Sequence, residues 1–203
     1  VLLPSEILPL HVFEPRYIDL VRDAIASHRV IGMVEVLPGH EDELEQSPPV
    51  REVGCVGFLA THEELEDGRY LMWLLGLERF YIKQELEVPT SYRQVRVQYE
   101  PTPESPRRLA GIRPLRQELR SLLPDFVDLD DSSRELFARH MAEVSDSQLI
   151  ALASQILEMP SERKQAQLEA ETLSERFLMV YEDLYLHLDT NPEFGHFSPE
   201  ELN

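Results

Sequence analysis

Cysteine is nearly absent from this chain: Cys55 stands alone among 203 residues. A disulfide within the chain is therefore excluded, and the composition fits a reducing compartment, so a cytoplasmic location is expected. Cys55 lies inside the apolar run "VGCVGFLA" and reads as a small buried residue. A nucleophilic thiolate needs a basic neighbour, and none stands near it in the sequence. Lysine is almost as scarce, with Lys83 and Lys164 against 17 arginines. A serine–lysine hydrolase needs a lysine that sheds its proton in an apolar pocket. Lys83 sits in "YIKQELE", whose residues alternate toward solvent, and Lys164 sits in the charged run "SERKQ", so neither reads as such a base. No apolar run approaches the roughly 18 to 20 residues of a membrane span, and no membrane association is expected.

The motifs of common chemistries are missing too. There is no GxxxxGK[ST] phosphate loop, no GxGxxG, no GxSxG elbow, no HExxH and no CxxC. The seven histidines (His11, His28, His40, His62, His140, His187 and His196) are scattered singly. Metal ligation needs several ligands brought together, so neither metal nor cofactor is expected, and no catalytic residue is assigned. Acidic pairs are plentiful only because acids are plentiful.

What the chain does have is negative charge: 19 basic against 38 acidic side chains, net −19. Residues 1–100 carry 9 and 18 of these, and residues 101–203 carry 10 and 20, so the acidity is spread evenly. Phosphate backbones are bound through lysine and arginine. An evenly acidic chain without a basic run makes a nucleic-acid partner unexpected.

The texture changes midway. Up to about Pro101 the residues read as strands with one inserted helix. In "YIDLVRDAI", Tyr17, Leu20, Val21, Ala24 and Ile25 share a helical face. Pro15 falls near the first turn, where a missing N–H costs nothing, and Glu14 suits the positive helix N-terminus. A strand is expected from Val30 to Leu37, then an acidic loop with proline and glycine, then "VGCVGFLATHEE". Asp67-Gly68 signals a type I′ hairpin turn, and "RYLMWLLGL" returns with a bend at Gly76. "RFYIKQELEV", with Phe80 and Ile82 inward, and "YRQVRVQYE" complete a small β-barrel pattern.

"PTPESP" (Pro101 to Pro106) suits neither a central strand nor a helix interior, and marks the boundary between domains 1–105 and 106–203. Beyond it the pattern is helical. Pro114 starts or interrupts one helix, and capping-box patterns open at Ser132 with Glu135 and at Ser145 with Gln148. In the long final helix, expected from Pro160 onward, Leu173, Phe177, Val180, Leu184 and Leu188 form the stripe of a bundle core. The fold class is therefore α+β, a β pseudo-barrel with one inserted helix followed by an α-helical bundle.

Several of these segments carry a resemblance. "LPLHVFEPRY" with Phe13 to Tyr17, Gly32, Val53 to Gly57, Asp67-Gly68, Gly76 to Phe80, and the late "ILEMPSERKQAQ" closely resemble the N-terminal substrate-binding domain of Lon-type ATP-dependent proteases. The resemblance implies a PUA-like pseudo-barrel followed by helices, with a first strand before Val1. It implies a non-catalytic module for unfolded or tagged polypeptide, or for a protease or chaperone partner, in quality control or regulated proteolysis. The family's full-length members add ATPase and serine–lysine peptidase domains, which are not in this sequence. The closing tail favours a stand-alone protein over an excised fragment of such a protease, and pairing of two copies is left open. RNA binding, suggested only by the PUA-like class, is disfavoured by the acidity. An enzyme site assembled from scattered residues ranks last.

Extended peptides bind by edge pairing or in apolar grooves. The candidate peptide anchors are Arg16 and Tyr17, at the join between strand and helix, and Trp73, on an apolar strand where core packing is the first expectation. Core packing is expected more strongly still for Phe13 and Phe80.

Overall fold

β-Branched residues, aromatics and glycine-marked bends build the first part of the chain, and capped amphipathic segments build the second. The computed structural model describes residues 1–40, 42, 47–99 and 110–190. Two compact units result, Val1–Pro101 and Thr102–Asn203. The expected boundary at Pro101 to Pro106 and the tail beyond residue 190 lie outside the described residues, as does most of the acidic loop, at 41 and 43–46.

The first unit is an antiparallel sheet. Its strands are β1 (Ile7–Val12), β2 (Val30–Met33), β3 (Val53–Glu64), β4 (Tyr70–Leu86) and β5 (Gln94–Gln98). The order is β1-β4-β3-β2, with β5 pairing the far half of β4. Helix α1 (Pro15–Ala26) is inserted between β1 and β2, with Val21 and Ala24 buried. Pro15 opens it as expected, but the Glu14 side chain makes no cap hydrogen bond. β2 is shorter than its apolar sequence suggests. Past Met33 the only further pairing described is the bridge Val36–Val50.

β4 is one continuous strand of 17 residues. Register shifts at Val56/Gly57 and Leu59/Thr61 of β3 let the β3–β4 pair bend, since an extra residue kinks a strand and raises its twist. Gly76 sits at the bend because a backbone comes too close for a side chain: a Cβ there would stand 2.0 Å from the Leu3 carbonyl oxygen. Two hydrogen bonds of 2.8 Å hold that approach, Ser5 N–H to Gly76 O and Gly76 N–H to Glu6 O. Gly32 and Gly54 open a seat for the Phe80 ring, whose Cζ lies 3.3 and 2.6 Å from where their Cβ atoms would be. Phe80 is buried, as expected. The hairpin at Asp67-Gly68 forms with different chemistry from that expected. Only Gly68 has positive φ (81°), and its N–H reaches the Leu65 carbonyl, so a type I turn closes with glycine in the left-handed position.

The second unit contains α2 (Arg113–Leu122), a 3-10 turn (Leu123–Phe126), α3 (Asp131–Glu143), α4 (Asp146–Ile156), α5 (Ser161–Glu169) and α6 (Leu173–Thr190). Ser145 and Gln148 form the expected reciprocal capping box on α4. α3 starts two residues earlier than its Ser132 pattern suggests, because Asp130 takes the cap and accepts from Ser133 N–H at 2.9 Å. The single long helix expected from Pro160 is two helices, broken where Ala170 turns extended (ψ 131°). The late "LEMP" segment is a helix stop. Glu158 adopts φ 48°, and Met159 N–H reaches back to Ser154 O at 3.0 Å, a left-handed C-terminal closure. Leu157 and Met159 on either side are buried in the core with Leu119, Met141, Leu149, Phe177, Val180, Leu184 and Leu188.

One polar clasp ties α6 to α2. Tyr181 and Tyr185 hydroxyls, 2.9 Å apart, donate to the two oxygens of Glu118 at 2.7 and 3.0 Å. Burial, aided by the Glu118 carboxylate, pushes both phenols above the ordinary tyrosine range. A raised folded pKa means the folded state holds its proton longer than the unfolded chain. The clasp's stabilisation is then full below the unfolded value near pH 10.0 and is lost as pH rises above it. With two lysines in the chain, tyrosines dominate titration in the range about 9 to 12. Helical circular dichroism followed against pH is expected to fall above about pH 10 in the native chain, and less steeply in Tyr185→Phe.

Candidate functional site

The strand register assembles an apolar face that local sequence does not announce. Val30 on β2 pairs with Phe58 on β3, Phe58 with Leu75 on β4, and Leu75 with Ile7 on β1. These four side chains form one row across four strands, since directly paired residues share a face. In the next row Trp73 stands between Pro9 and Thr61, and in the one after that Leu71 stands between His11 and Glu63. Ile7 is 56% exposed, Val30 42%, Phe58 36% and Trp73 37%. The opposite face of the same strands, with Leu59, Met72 and Leu74, is buried. Core packing for Trp73 is therefore corrected: its parity on β4 turns it away from Met72 and Leu74.

Phe13 also departs from expectation. It lies just past β1, 61% exposed, with its ring centroid 6.0 Å from that of His11. The buried helix face likewise begins after Tyr17, which is exposed.

The edge of β1 is less suited to pairing than the face is to packing. Gly76 N–H bonding to Glu6 O fixes the phase, so the backbone groups of Ile7, Pro9 and His11 point to the outer edge. Pro9 contributes no donor there, a common way of blunting an edge strand. The join at Arg16 and Tyr17 is largely self-contained. Arg16 donates through Nε and Nη2 to Glu14 Oε2 at 3.0 and 2.8 Å, and its guanidinium lies 4.6 Å over the Tyr17 ring. Glu14 is thus the acid that partners Arg16, a pairing that residue order alone leaves open.

Other chemistry is sparse. Among the described residues no three His, Cys, Asp or Glu side chains are placed to hold a metal ion. Cys55 is fully buried, its thiol 3.5 Å from the Val56 carbonyl. No helix among the described residues is long and apolar enough to cross a membrane.

The decisive comparison covers most of the chain: residues 1–184 match the ATP-dependent protease La (LON) substrate-binding domain family. The chain belongs to that family. A Lon protease of Dictyoglomus thermophilum is 25% identical to it over 132 residues, covering 63% of this chain and 16% of that protein. The LON chain therefore spans a small part of the curated relative it matches. Two solved structures share its fold. One is the N-terminal domain of a Mycobacterium avium complex Lon protease, with TM-score 0.69, 16% identity, and coverage of 90% of this chain and 91% of that one. The other is a Lon N-terminal domain protein from Xanthomonas campestris, with TM-score 0.59, 20% identity, and coverage of 90% and 92%.

The LON motif residues acquire physical reasons in this fold. Gly32, Gly54 and Phe80 form one packing unit, Gly76 admits the N-terminal backbone, and Pro15 opens α1. Sequence reading missed Ile7, Val30 and Phe58 as surface residues, and half-buried Leu75 as the residue that joins them. Their runs, such as "ILPLHV" and "YLMWLLGL", are apolar at nearly every position, so alternation carries no signal about which side is wet.

Proposed function

We propose that this LON domain holds extended apolar segments of unfolded or tagged polypeptide against the sheet face around Phe58 and Trp73. In this reading the chain binds and does not cut. It serves a proteolysis or quality-control pathway, either as the leading part of a Lon protease or as a separate protein beside a protease or chaperone. The observation that carries the reading is the row Val30–Phe58–Leu75–Ile7, half-buried at Leu75 and exposed at the other three, with exposed Trp73 beside it. Contiguous exposed apolar surface of this kind commonly marks an interaction site. Arg16 and Tyr17 are assigned a lesser part, because Glu14 already holds the guanidinium.

Trp73 is the only tryptophan, so its fluorescence reports directly on occupancy. Titration with a carboxymethylated, permanently unfolded client is expected to shift Trp73 emission. Phe58→Ser is expected to weaken binding about tenfold, the worth of one partly buried aromatic. Its melting temperature is expected to stay near native, since Phe58 contributes to the wet face. Unchanged affinity in Phe58→Ser, or a silent Trp73 at saturating client, would overturn the reading.

A further inference from the structure

The apolar face is bracketed by two acids of the same sign. Glu63 on β3 pairs with Leu71, one row beyond Trp73, and Glu78 on β4 pairs with Val56, one row beyond Leu75 and Phe58. Through the bulge at Gly76 and Leu77 the register keeps Glu78 on the Phe58 side of the sheet. Both carboxylates are exposed. Neither takes part in a hydrogen bond or ion pair among the described residues. This contrasts with Glu64, which is 3.5 Å from Arg22, and Glu85, which is clasped by Arg93. About six strand steps separate the two rows, or roughly 20 Å. One cation at this patch, Arg29, lies to the side beside β2. Its guanidinium stands 5.8 Å from the Phe58 ring centroid, with Nη2 3.5 Å from His62 Nδ1.

We infer that the face selects polypeptide segments in which an apolar stretch is flanked by basic residues about six positions apart. An extended peptide spans roughly 20 Å in six residues, so lysines or arginines at its two ends reach Glu63 and Glu78 while the residues between cover Phe58 and Trp73. The charge of the whole chain, −19, works in the same direction by drawing cationic segments in and repelling acidic ones. Local carboxylates add the spacing rule that a diffuse field lacks. The inference rests on the face being the polypeptide site.

The test uses three synthetic peptides with one aromatic-aliphatic centre, flanked six residues apart by lysine, by serine or by glutamate, and a fourth with its two lysines ten residues apart, with Trp73 emission as readout. The native chain is expected to bind the lysine-flanked peptide about fivefold more tightly than the serine-flanked one, as two exposed ion pairs would supply. The margin is expected to shrink with added salt, and the glutamate-flanked peptide is expected to bind weakest. In the Glu63→Gln, Glu78→Gln double variant the serine-flanked peptide should bind as before and the lysine margin should largely vanish. Equal binding of lysine- and serine-flanked peptides would overturn the spacing rule while leaving the docking face standing. A lysine margin that survives in the double variant, or that does not depend on the six-residue spacing, would assign it to overall charge and overturn the role of Glu63 and Glu78. Failure of all four peptides to move Trp73 would count against the face itself.

Discussion

Gly76→Ala is expected to unfold the β unit. The added Cβ would lie 2.0 Å from the Leu3 carbonyl oxygen and 2.9 Å from its carbon, both backbone atoms with no rotamer to escape into. Relief requires the N-terminal segment to lift from β4. That breaks the Ser5–Gly76 and Gly76–Glu6 hydrogen bonds and uncovers Leu2 and Leu3, which are buried. Overpacking costs about 1 to 3 kcal/mol where side chains can shift, and each lost hydrogen bond adds roughly 1 kcal/mol. A loss on the order of 4 kcal/mol or more follows, a large share of the 5 to 15 kcal/mol that holds a typical domain. Urea unfolding followed by Trp73 emission reads it directly. Gly111→Ala is the control: nothing lies within 4 Å of its Cβ position, so it is expected to be neutral. A Gly76→Ala midpoint equal to native would show that the close approach is not needed.

Phe177→Ala is expected to cost the helical unit about 3 to 5 kcal/mol, as truncation of a fully buried aromatic does. Phe177 has no exposed surface and packs in the cluster with Leu119, Leu123, Met141, Leu149 and Leu184. Its sequence neighbour Leu178 is half-exposed on the other side of α6. Leu178→Ala is expected to change stability by no more than about 0.5 kcal/mol. Helical circular dichroism in urea measures both. Equal losses at the two positions would mean that the stripe of Leu173, Phe177, Val180, Leu184 and Leu188 does not define the buried side.

That stripe shows what periodicity makes legible. A helix repeats its faces every 3.6 residues whatever it packs against, so spacings of 4, 3, 4 and 4 point to one side without knowledge of the partner. The break at Ala170 carries a local signal that the long helical pattern hides: Thr172 and Glu175 form a reciprocal capping box, with Glu175 N–H to Thr172 Oγ1 at 3.2 Å and Thr172 N–H to Glu175 Oε2 at 3.0 Å. The capping box at Ser145 was readable because it is purely local. At Ser132 the same pattern misled, since Asp130 stood close enough to take the cap first.

The apolar face is the opposite case. Strands repeat every two residues, but "ILPLHV" and "YLMWLLGL" are apolar on both sides, so alternation is erased where the face lies. Trp73 was legible as a candidate and illegible as an exposed residue. Phe58, Ile7 and Val30 lie far apart in the chain, and only register brings them into one row. Arg16 likewise advertised a charge beside a turn, and its partner is two residues away.

By itself the sequence determined the α+β class, the inserted helix, the helical core stripe and the LON motif, because each follows from local periodicity, turn chemistry or residue order. Tertiary structure alone decided which side of an all-apolar strand is wet and why Gly54 and Gly76 must lack side chains. It also set two carboxylates, Glu63 and Glu78, without a partner among the described residues, at the ends of one face. These depend on strand pairing and on the approach of backbones distant in the chain, and no local rule carries that information.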